Sequence, residues 1–557
     1  MKHCCLLLVL LPWLNHASAQ DYAQLGDSCF ALKDYTCAGI NYDLFLEKVE
    51  GRSNNIAFKS ARAWGLAGDT EKTIQGIRLW IANNYENNSP LFGDRLLKEP
   101  AFELVRSDKR WKPMADSVIA GEKLEREREQ QTLNAVLAFQ KTLFANPLSG
   151  QSFLTEKDPK KLYNSIRGPH SFQAIDRKLV SLQVELTDSQ HTAFLIVLPD
   201  DYNPARPYTV LLFLHGAVSV NTGYLNMLRD WDTTGWNRFY SKYARLNDVI
   251  MVYPHGNRDF NWMSPEAGFF IVPKVLRMVK DVINVDDDRV FISGHSNGAT
   301  GSFTYAVRQP SPFAGFYGFN TRPKVATGAT YLGNLRNRSF MNVSVDQDYY
   351  YPAGAHDSLD ALMKQMGIDY HDLRYNGFTH AFPGNDASEE PTRLLFEDMK
   401  KRKRNPFRAS IEWECDDTVY GRCDWLQITK LDTLRTNTAT VEHPNFRINK
   451  WIVFDENREL VTRDTSVMAF AYHRRSAKVS ATYSNNTFRL ATNGASSIRI
   501  YLSPEMVNFQ KPVSVFVNSK KVVNKLVVFD RQFMLDEFRR TSDRKAVWVG
   551  YLDVAVD

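Results

Sequence analysis

The chain has 557 residues, a length that predicts three or four domains rather than one core. Its 43% of hydrophobic and 24% of charged residues are typical of globular proteins, which excludes a largely disordered or fibrous chain. The net charge of +6 is small for this length, so we expect no nucleic-acid partner.

Residues 1–19 predict an export signal. A positively charged start precedes the apolar residues 4–11, and Ala17-Ser18-Ala19 offers a small-x-small cleavage site. The apolar run is too short to span a bilayer, and no other stretch is long and uncharged enough to do so. We therefore expect an exported protein, periplasmic or extracellular, without a transmembrane segment.

Four cysteines remain when this signal is removed, and they form two close pairs: Cys29, Cys37, Cys415 and Cys423. In an exported chain this spacing predicts two short-range disulfides, with 29–37 and 415–423 preferred among the three possible connectivities. A zinc site is one alternative, but no histidine stands at ligand spacing near either pair. Free buried thiols are the other alternative. We expect no metal and no organic cofactor.

Residues 20–120 carry a helical pattern, in which Gly68-Asp69 separates two amphipathic segments. Small residues on the first segment, such as Ala61 and Ala67, make the pair resemble a tetratricopeptide repeat. The resemblance implies a surface for a protein partner, whereas a generic helical domain that binds nothing is the alternative. The charged stretch that follows predicts connector helices over 121–150.

Strands and helices alternate over residues 151–405. Uninterrupted apolar runs at 208–214 and 249–253 are typical of central strands that are buried on both faces. Further strands are predicted at 313–319 and 339–345, with helical patterns between them. This alternation predicts an α/β domain with a doubly wound, mostly parallel sheet.

Residues 406–557 are rich in short alternating strands that are separated by polar turns. The pattern predicts a β-sandwich-like domain, with strands that include 425–431, 478–483 and 526–529. No residue set in this region suggests catalysis. We expect the domain to support its neighbour, and carbohydrate binding is the alternative.

The segment Val290–Gly301 runs from an apolar strand through Gly294-His295-Ser296-Asn297-Gly298 into small, helix-compatible residues. Gly-x-Ser-x-Gly at such a junction is typical of a nucleophile elbow, in which a strained turn exposes the serine hydroxyl. The flanking glycines let the strand and the helix cross closely. A surface turn is the alternative for the motif alone, and the flanking elements favour the elbow.

Residues 178–400, about two-fifths of the chain, resemble the α/β-hydrolase superfamily. The most similar members are secreted esterases, a group that includes feruloyl and acetylxylan esterases and polyhydroxybutyrate depolymerase-like proteins. The resemblance is carried by Leu198-Pro199, Leu214-His215-Gly216, Tyr253-Pro254-His255-Gly256-Asn257 and the elbow. It implies a fold in which serine, acid and histidine follow one another along the chain.

The resemblance also implies the site residues. Ser296 is the expected nucleophile, and His380, in a glycine-flanked loop after a strand-like segment, is the expected base. The loop after strand 340–345 implies Asp348 as the acid, with Asp346 as the alternative. The backbone N–H groups of Asn297 and of Ala217 are the expected oxyanion donors, with Gly216 as the alternative to Ala217.

These features predict an exported serine hydrolase that cleaves a carboxylic ester, with carbohydrate-linked or aryl esters as candidate substrates. Trp262 and Phe378 are candidate substrate-binding residues, although core packing is the commoner role of such aromatics. A serine peptidase of the prolyl-oligopeptidase type would share the triad, but no propeller-like β domain precedes the catalytic part. A non-catalytic binding or scaffold protein with a hydrolase-like core is the remaining alternative.

Overall fold

The computed structural model describes residues 19–86, 93–188, 190–218, 235–263, 267–432, 443–455 and 459–556. The chain divides into two compact units, Met1–Leu133 and Asn134–Asp557. Among the helices in these described ranges, none is long and apolar enough to cross a membrane.

The first unit is helical, as its periodicity predicts. Gly68 ends a helix in the left-handed region with φ 82°, so the predicted Gly68-Asp69 break is a turn between two helices. Cys29 and Cys37 form a disulfide with their Cα atoms 5.8 Å apart. The helices are α1 (Ala19–Ala31), α2 (Tyr35–Lys48), α3 (Asn54–Ala67), α4 (Thr70–Glu86) and α5 (Gly93–Leu97), and a further helix, α6 (Trp111–Leu143), begins in this unit and runs past its end at Leu133.

A sheet of eight strands forms the centre of the second unit, in the order β1-β2-β4-β3-β5-β6-β7-β8. β2 runs antiparallel to both of its neighbours. The other six strands of the order, β4-β3-β5-β6-β7-β8, run parallel to one another, which confirms the predicted mostly parallel sheet. The strands are β1 (Leu179–Thr187), β2 (Gln190–Val197), β3 (Tyr208–Leu214), β4 (Ile250–Pro254), β5 (Val285–Gly294), β6 (Gly315–Phe319), β7 (Phe340–Gln347) and β8 (Tyr370–Thr379).

Helices cover both faces of this sheet. On one face, apolar side chains of α8 and α12 join those of the strands in one core, which includes Tyr240 and Phe396. On the other face, Phe303 of α10 packs against Phe340 of β7 with ring centroids 5.3 Å apart. The helices are α7 (Pro159–Arg167), α8 (Arg238–Leu246), α9 (Ile271–Val282), α10 (Asn297–Arg308), α11 (Ala353–Gln365) and α12 (Glu389–Lys401).

The C-terminal region is rich in strands, as predicted. Its sheets have the orders β10-β11-β16-β19, β18-β17-β15-β14-β9 and β12-β13. The strands are β9 (Ser410–Cys415), β10 (Arg422–Cys423), β11 (Leu426–Leu431), β12 (Arg447–Phe454), β13 (Leu460–Met468), β14 (Ala477–Ser484), β15 (Thr487–Asn493), β16 (Ala495–Leu502), β17 (Val513–Val517), β18 (Lys520–Lys525) and β19 (Gly550–Ala555).

The expected strand at 526–529 is wrong, because β18 ends at Lys525 and the chain leads into a helix, α13 (Arg531–Thr541). The carboxylate of Asp530 caps this helix by accepting a hydrogen bond from the Phe533 N–H at 3.0 Å. Met534, Leu535 and Phe538 of α13 share a buried cluster with the segment 148–166. The segment that precedes the large sheet therefore packs on the C-terminal helix.

The predicted disulfide between Cys415 and Cys423 is wrong, since both thiols are free and buried. Cys415 ends β9 and pairs with Ala477 in one sheet, whereas Cys423 lies in β10 and pairs with Leu426 in another. Burial raises the pKa of the Cys415 thiol to about 12. Cys415 and Cys423 are therefore free buried thiols, which is the alternative that the sequence left open.

Candidate active site

Ser296 lies at the turn between the end of β5 and the start of α10, with φ 56° and ψ −121°. Few non-glycine residues adopt such a conformation, so the surrounding structure must impose it. A Cβ on Gly294 would lie 2.6 Å from the Leu214 carbonyl oxygen, and a Cβ on Gly298 only 1.8 Å from it. Both glycines of the motif are therefore needed for the elbow to pass the end of β3.

His380 bridges Ser296 and Asp348. Its Nε2 lies 2.8 Å from the Ser296 Oγ, and its Nδ1 lies 2.8 Å from an Asp348 carboxylate oxygen, Oδ1. All three side chains are buried, and the Tyr350 N–H also donates to the Asp348 Oδ1 at 2.7 Å. The three residues that the sequence predicts thus form one hydrogen-bonded chain from carboxylate to hydroxyl.

The alternative acid, Asp346, lies elsewhere. Its Oδ1 accepts hydrogen bonds from the backbone N–H groups of Gly377 and Phe378, at 2.8 and 3.2 Å. These residues belong to the segment that leads to His380. Asp346 therefore fastens the backbone near the histidine, whereas Asp348 contacts its imidazole ring.

Two side chains hold the His380 carbonyl oxygen. The Asn320 Nδ2 donates to it at 2.8 Å, and the His295 Nε2 lies 3.0 Å from it. Burial and, to a smaller extent, the neighbouring His380 lower the pKa of His295 to about 3, so His295 is neutral near pH 7. Because a carbonyl oxygen only accepts, the neutral ring carries its proton on Nε2. His295, the variable residue of the elbow motif, is thus a partner of the His380 backbone.

The expected oxyanion donors lie around the nucleophile. Asn297 follows Ser296 directly and begins α10, where backbone N–H groups lack helical partners. The backbone of Gly216 lies close to Ser296, because a Cβ on Gly216 would be 3.0 Å from the Ser296 Cβ. Ala217 follows it with φ 52°. No acceptor among the described residues engages the N–H of Asn297 or of Ala217.

The two expected substrate-binding aromatics differ in exposure. Trp262 is 0% exposed, and its ring packs 4.8 Å from that of His215. A Cβ on Gly301 of α10 would lie 2.3 Å from the Trp262 ring, so Trp262 fills the core beneath this helix instead of lining an accessible wall. Phe378 is half-buried, with its ring 4.7 Å from that of Phe382.

Sequence reasoning missed three aromatic residues that lie near His380 or His295. The rings of Tyr349 and Tyr350 lie 4.9 and 5.2 Å from the His380 ring, and the exposed Trp236 lies 5.1 Å from His295. Tyr350 also contacts the elbow, since its Oη lies 2.9 Å from the Asn297 Nδ2. The tyrosine run directly after Asp348 was the available signal.

Within the described ranges, no three histidine, cysteine or acidic side chains form a group that could hold a metal ion.

Residues 188–319 match the protein-family model described as "Putative esterase". The matched segment runs from β2 to β6 and contains the elbow with Ser296. The match classes this region with the carboxylic ester hydrolases. No curated protein matches the chain.

Three solved structures illustrate the structural similarity. A thermostable esterase is 18% identical over 41% of this chain, with a TM-score of 0.34, and the chain spans 64% of its length. The S-formylglutathione hydrolase of Staphylococcus aureus is 15% identical over 40% of this chain and 99% of its own, with a TM-score of 0.30. A ferulic acid esterase is 16% identical over 41% and 99%, with a TM-score of 0.33. Similarities at these scores carry no functional argument.

Proposed function

We propose that the protein is an exported serine esterase in which Ser296 attacks the carbonyl carbon of a carboxylic ester. The observation that supports this most directly is the chain of two 2.8 Å contacts from Asp348 through His380 to the Ser296 Oγ. A serine hydroxyl is a weak nucleophile until a base removes its proton, and the base must be oriented by an acid. The esterase match of residues 188–319 supports the same reaction class.

The proposed reaction has two halves. In the first, His380 takes the Ser296 proton on Nε2 as the Oγ bonds to the carbonyl carbon, and then gives that proton to the alcohol oxygen as the ester C–O bond breaks. In the second, His380 removes a proton from water as the water oxygen attacks the acyl-serine carbonyl carbon. His380 then gives that proton to the Ser296 Oγ as the acyl C–O bond breaks, which releases the acid and free Ser296. The Asp348 carboxylate orients the ring and stabilises the imidazolium that forms in each half.

The tetrahedral intermediate of each half carries a negative oxygen. We assign its stabilisation to the backbone N–H groups of Asn297 and Ala217. Each such donor contributes about 3 kcal/mol in related chemistry because it is aimed before the charge develops. The close approach of the Gly216 backbone to Ser296 supports a donor from the loop after β3.

We also propose a role for each region that flanks the catalytic domain. Residues 1–19 act as an export signal, residues 20–120 as a tetratricopeptide-like region for a protein partner, and residues 406–557 as a β-sandwich-like support of the catalytic domain. Carbohydrate-linked and aryl esters are the candidate substrates.

If residues 1–19 are removed on export, the mature chain begins at Gln20. The intact mass of the protein that producing cells release would check this.

The test is a comparison of esters with peptides. Wild-type protein should hydrolyse a p-nitrophenyl acyl ester, and Ser296→Ala should reduce kcat to background. A chromogenic dipeptidyl amide should be cleaved far more slowly than the ester. Preferential cleavage of the amide would identify a peptidase instead, and a folded wild type without activity on either substrate would contradict the proposal.

A further inference from the structure

A hairpin from the C-terminal region reaches the loop that carries the proposed acid. β12 and β13 form a two-stranded sheet of their own. The Trp451 Nε1–H of β12 donates to the Tyr349 carbonyl oxygen at 3.0 Å, and the Trp451 ring lies 5.9 Å from that of Tyr351. A ribbon of two strands is marginally stable alone, so contacts of this kind are needed to hold it against the loop.

Trp451 is itself held on more than one side. Besides Tyr349 and Tyr351, the guanidinium of Arg322 lies 5.4 Å from the centre of its ring. Such a cation–π contact stabilises the position of the indole. Trp451 therefore fixes the hairpin relative to the acid loop.

The hairpin also adds an exposed aromatic ring next to Tyr349, which contacts the histidine. The Phe454 ring at the end of β12 lies 5.1 Å from that of Tyr349, and Tyr349 in turn lies 4.9 Å from His380. Tyr349 is 38% exposed and Phe454 is 52% exposed. Core packing would bury these rings, whereas adjoining exposed aromatics beside a reacting group are typical of a ligand-binding surface.

We propose that Tyr349 and Phe454 bind the alcohol part of the ester, and that this alcohol carries a ring with a flat apolar face. The inference rests on the proposed function, in which His380 gives its proton to the leaving oxygen and must therefore lie beside the alcohol. Tyr349 contacts the His380 ring, and Phe454 extends the aromatic surface away from it. The C-terminal region thus contributes to the substrate site as well as to support.

The shared chemistry of the alcohol is a face that stacks on aromatic side chains. A phenol offers its π face, and a sugar offers the apolar CH face of its pyranose ring. A linear alcohol offers neither. The substrate class is therefore an ester of a phenol or of a sugar hydroxyl, and the two can be separated by experiment.

The test uses the full-length protein with Phe454→Ala. Val467→Ala is the matched control, because Val467 is also exposed and lies on the same hairpin, opposite Ile448 at the other end from Phe454. The substrates are ethyl acetate, phenyl acetate and an acetylated methyl glucoside, which share one acyl group. The measured quantity is kcat/KM of each variant relative to wild type on the same substrate, so that the intrinsic reactivities of the esters cancel.

We expect Phe454→Ala to lower kcat/KM about tenfold for a ring-bearing ester, since an aromatic contact of this kind contributes about that factor. Ethyl acetate should change by less than about twofold, as should every substrate with Val467→Ala. A loss confined to phenyl acetate identifies phenol esters, and a loss confined to the glucoside identifies sugar esters.

Two results would overturn the inference. Equal losses for all three esters, or no loss for any of them, would exclude an alcohol subsite at Phe454 while leaving the esterase activity of Ser296 in place. A wild type that cleaves none of the three esters would contradict the proposed function itself, and the subsite with it.

Discussion

Asp346 accepts a hydrogen bond from the backbone N–H of Gly377 at 2.8 Å, which ties the end of β7 to the last residues of β8, the strand that leads to His380. The same carboxylate oxygen accepts from the Phe378 N–H at 3.2 Å. The proposed acid and base thus sit on two loops that are fastened to each other two to three residues away from the reacting groups. The position of the His380 ring depends on this link.

Asp346→Ala should therefore lower kcat by about tenfold to a hundredfold, because small misplacements of a catalytic group have effects of this size. KM should change little, since Asp346 does not face the substrate in the proposed reaction. Asp346→Asn keeps an acceptor oxygen and should recover most of the activity. Steady-state kinetics check this, and equal losses in the two variants would assign the effect to charge instead of backbone position.

Gly298→Ala should destabilise the fold, because the added Cβ would lie 1.8 Å from the Leu214 carbonyl oxygen. We expect the free energy of unfolding to fall by about 3 kcal/mol or more, since neither backbone can yield freely. Gly354→Ala is the matched control: it lies in the first turn of α11 with no atom within 4 Å of the new Cβ. Its free energy of unfolding should change by about 1 kcal/mol or less. Urea denaturation measures both, and similar losses would contradict the close crossing at the elbow.

The site was predictable where its signals are local in the chain. The apolar run of β3 encodes a buried strand, and the glycines around Ser296 encode a close crossing. Each of these signals lies within a few consecutive residues. The position of Trp451 against Tyr349 has no such signal, because 102 residues separate them. Only the folded chain shows that contact, and with it the part that the C-terminal hairpin plays beside His380.

The two cysteine pairs show the same limit. Both have a sequence separation of eight residues, so spacing treats them alike. Cys29 and Cys37 lie on neighbouring helices and are bonded, whereas Cys415 and Cys423 are strand residues of different sheets. The tertiary positions of β9 and β10 decide the outcome, and the pattern of a single sequence does not contain them.

Those free thiols give a prediction of their own. In the protein without residues 1–19, iodoacetamide should add no label under native conditions, because Cys415 and Cys423 are buried and burial raises the pKa of each. After denaturation without reductant it should add two labels, since Cys29 and Cys37 remain bonded. Intact mass spectrometry counts them. Zero labels after denaturation would show that Cys415 and Cys423 are joined in a disulfide.

His295 should make stability depend on pH. Its pKa in the folded protein is about 3, below the ordinary value of 6.5, so the unfolded chain takes up a proton between these values that the folded protein does not. Stability from this residue is complete above pH 6.5 and is lost as the pH falls toward 3, with a slope of up to about 1.4 kcal/mol per pH unit.

His295→Gln removes this titration while keeping an N–H donor near the His380 carbonyl. The free energy of unfolding of the variant should therefore fall less steeply than that of wild type between pH 6.5 and pH 4, as measured by urea denaturation. The matched control is His473→Gln, at an exposed histidine between β13 and β14, which should leave the slope unchanged. Parallel curves for wild type and His295→Gln would show that burial of His295 does not control its protonation.

Labelling with a fluorophosphonate probe tests whether His380 and Asp348 activate Ser296. Wild-type protein should gain one covalent phosphonyl group, and peptide mass spectrometry should place it on Ser296. Ser296→Ala should gain none, and His380→Ala should react slower by about a thousandfold or more, because the base is missing. A folded wild type that stays unlabelled, or a label on another residue, would show that Ser296 is not the activated nucleophile.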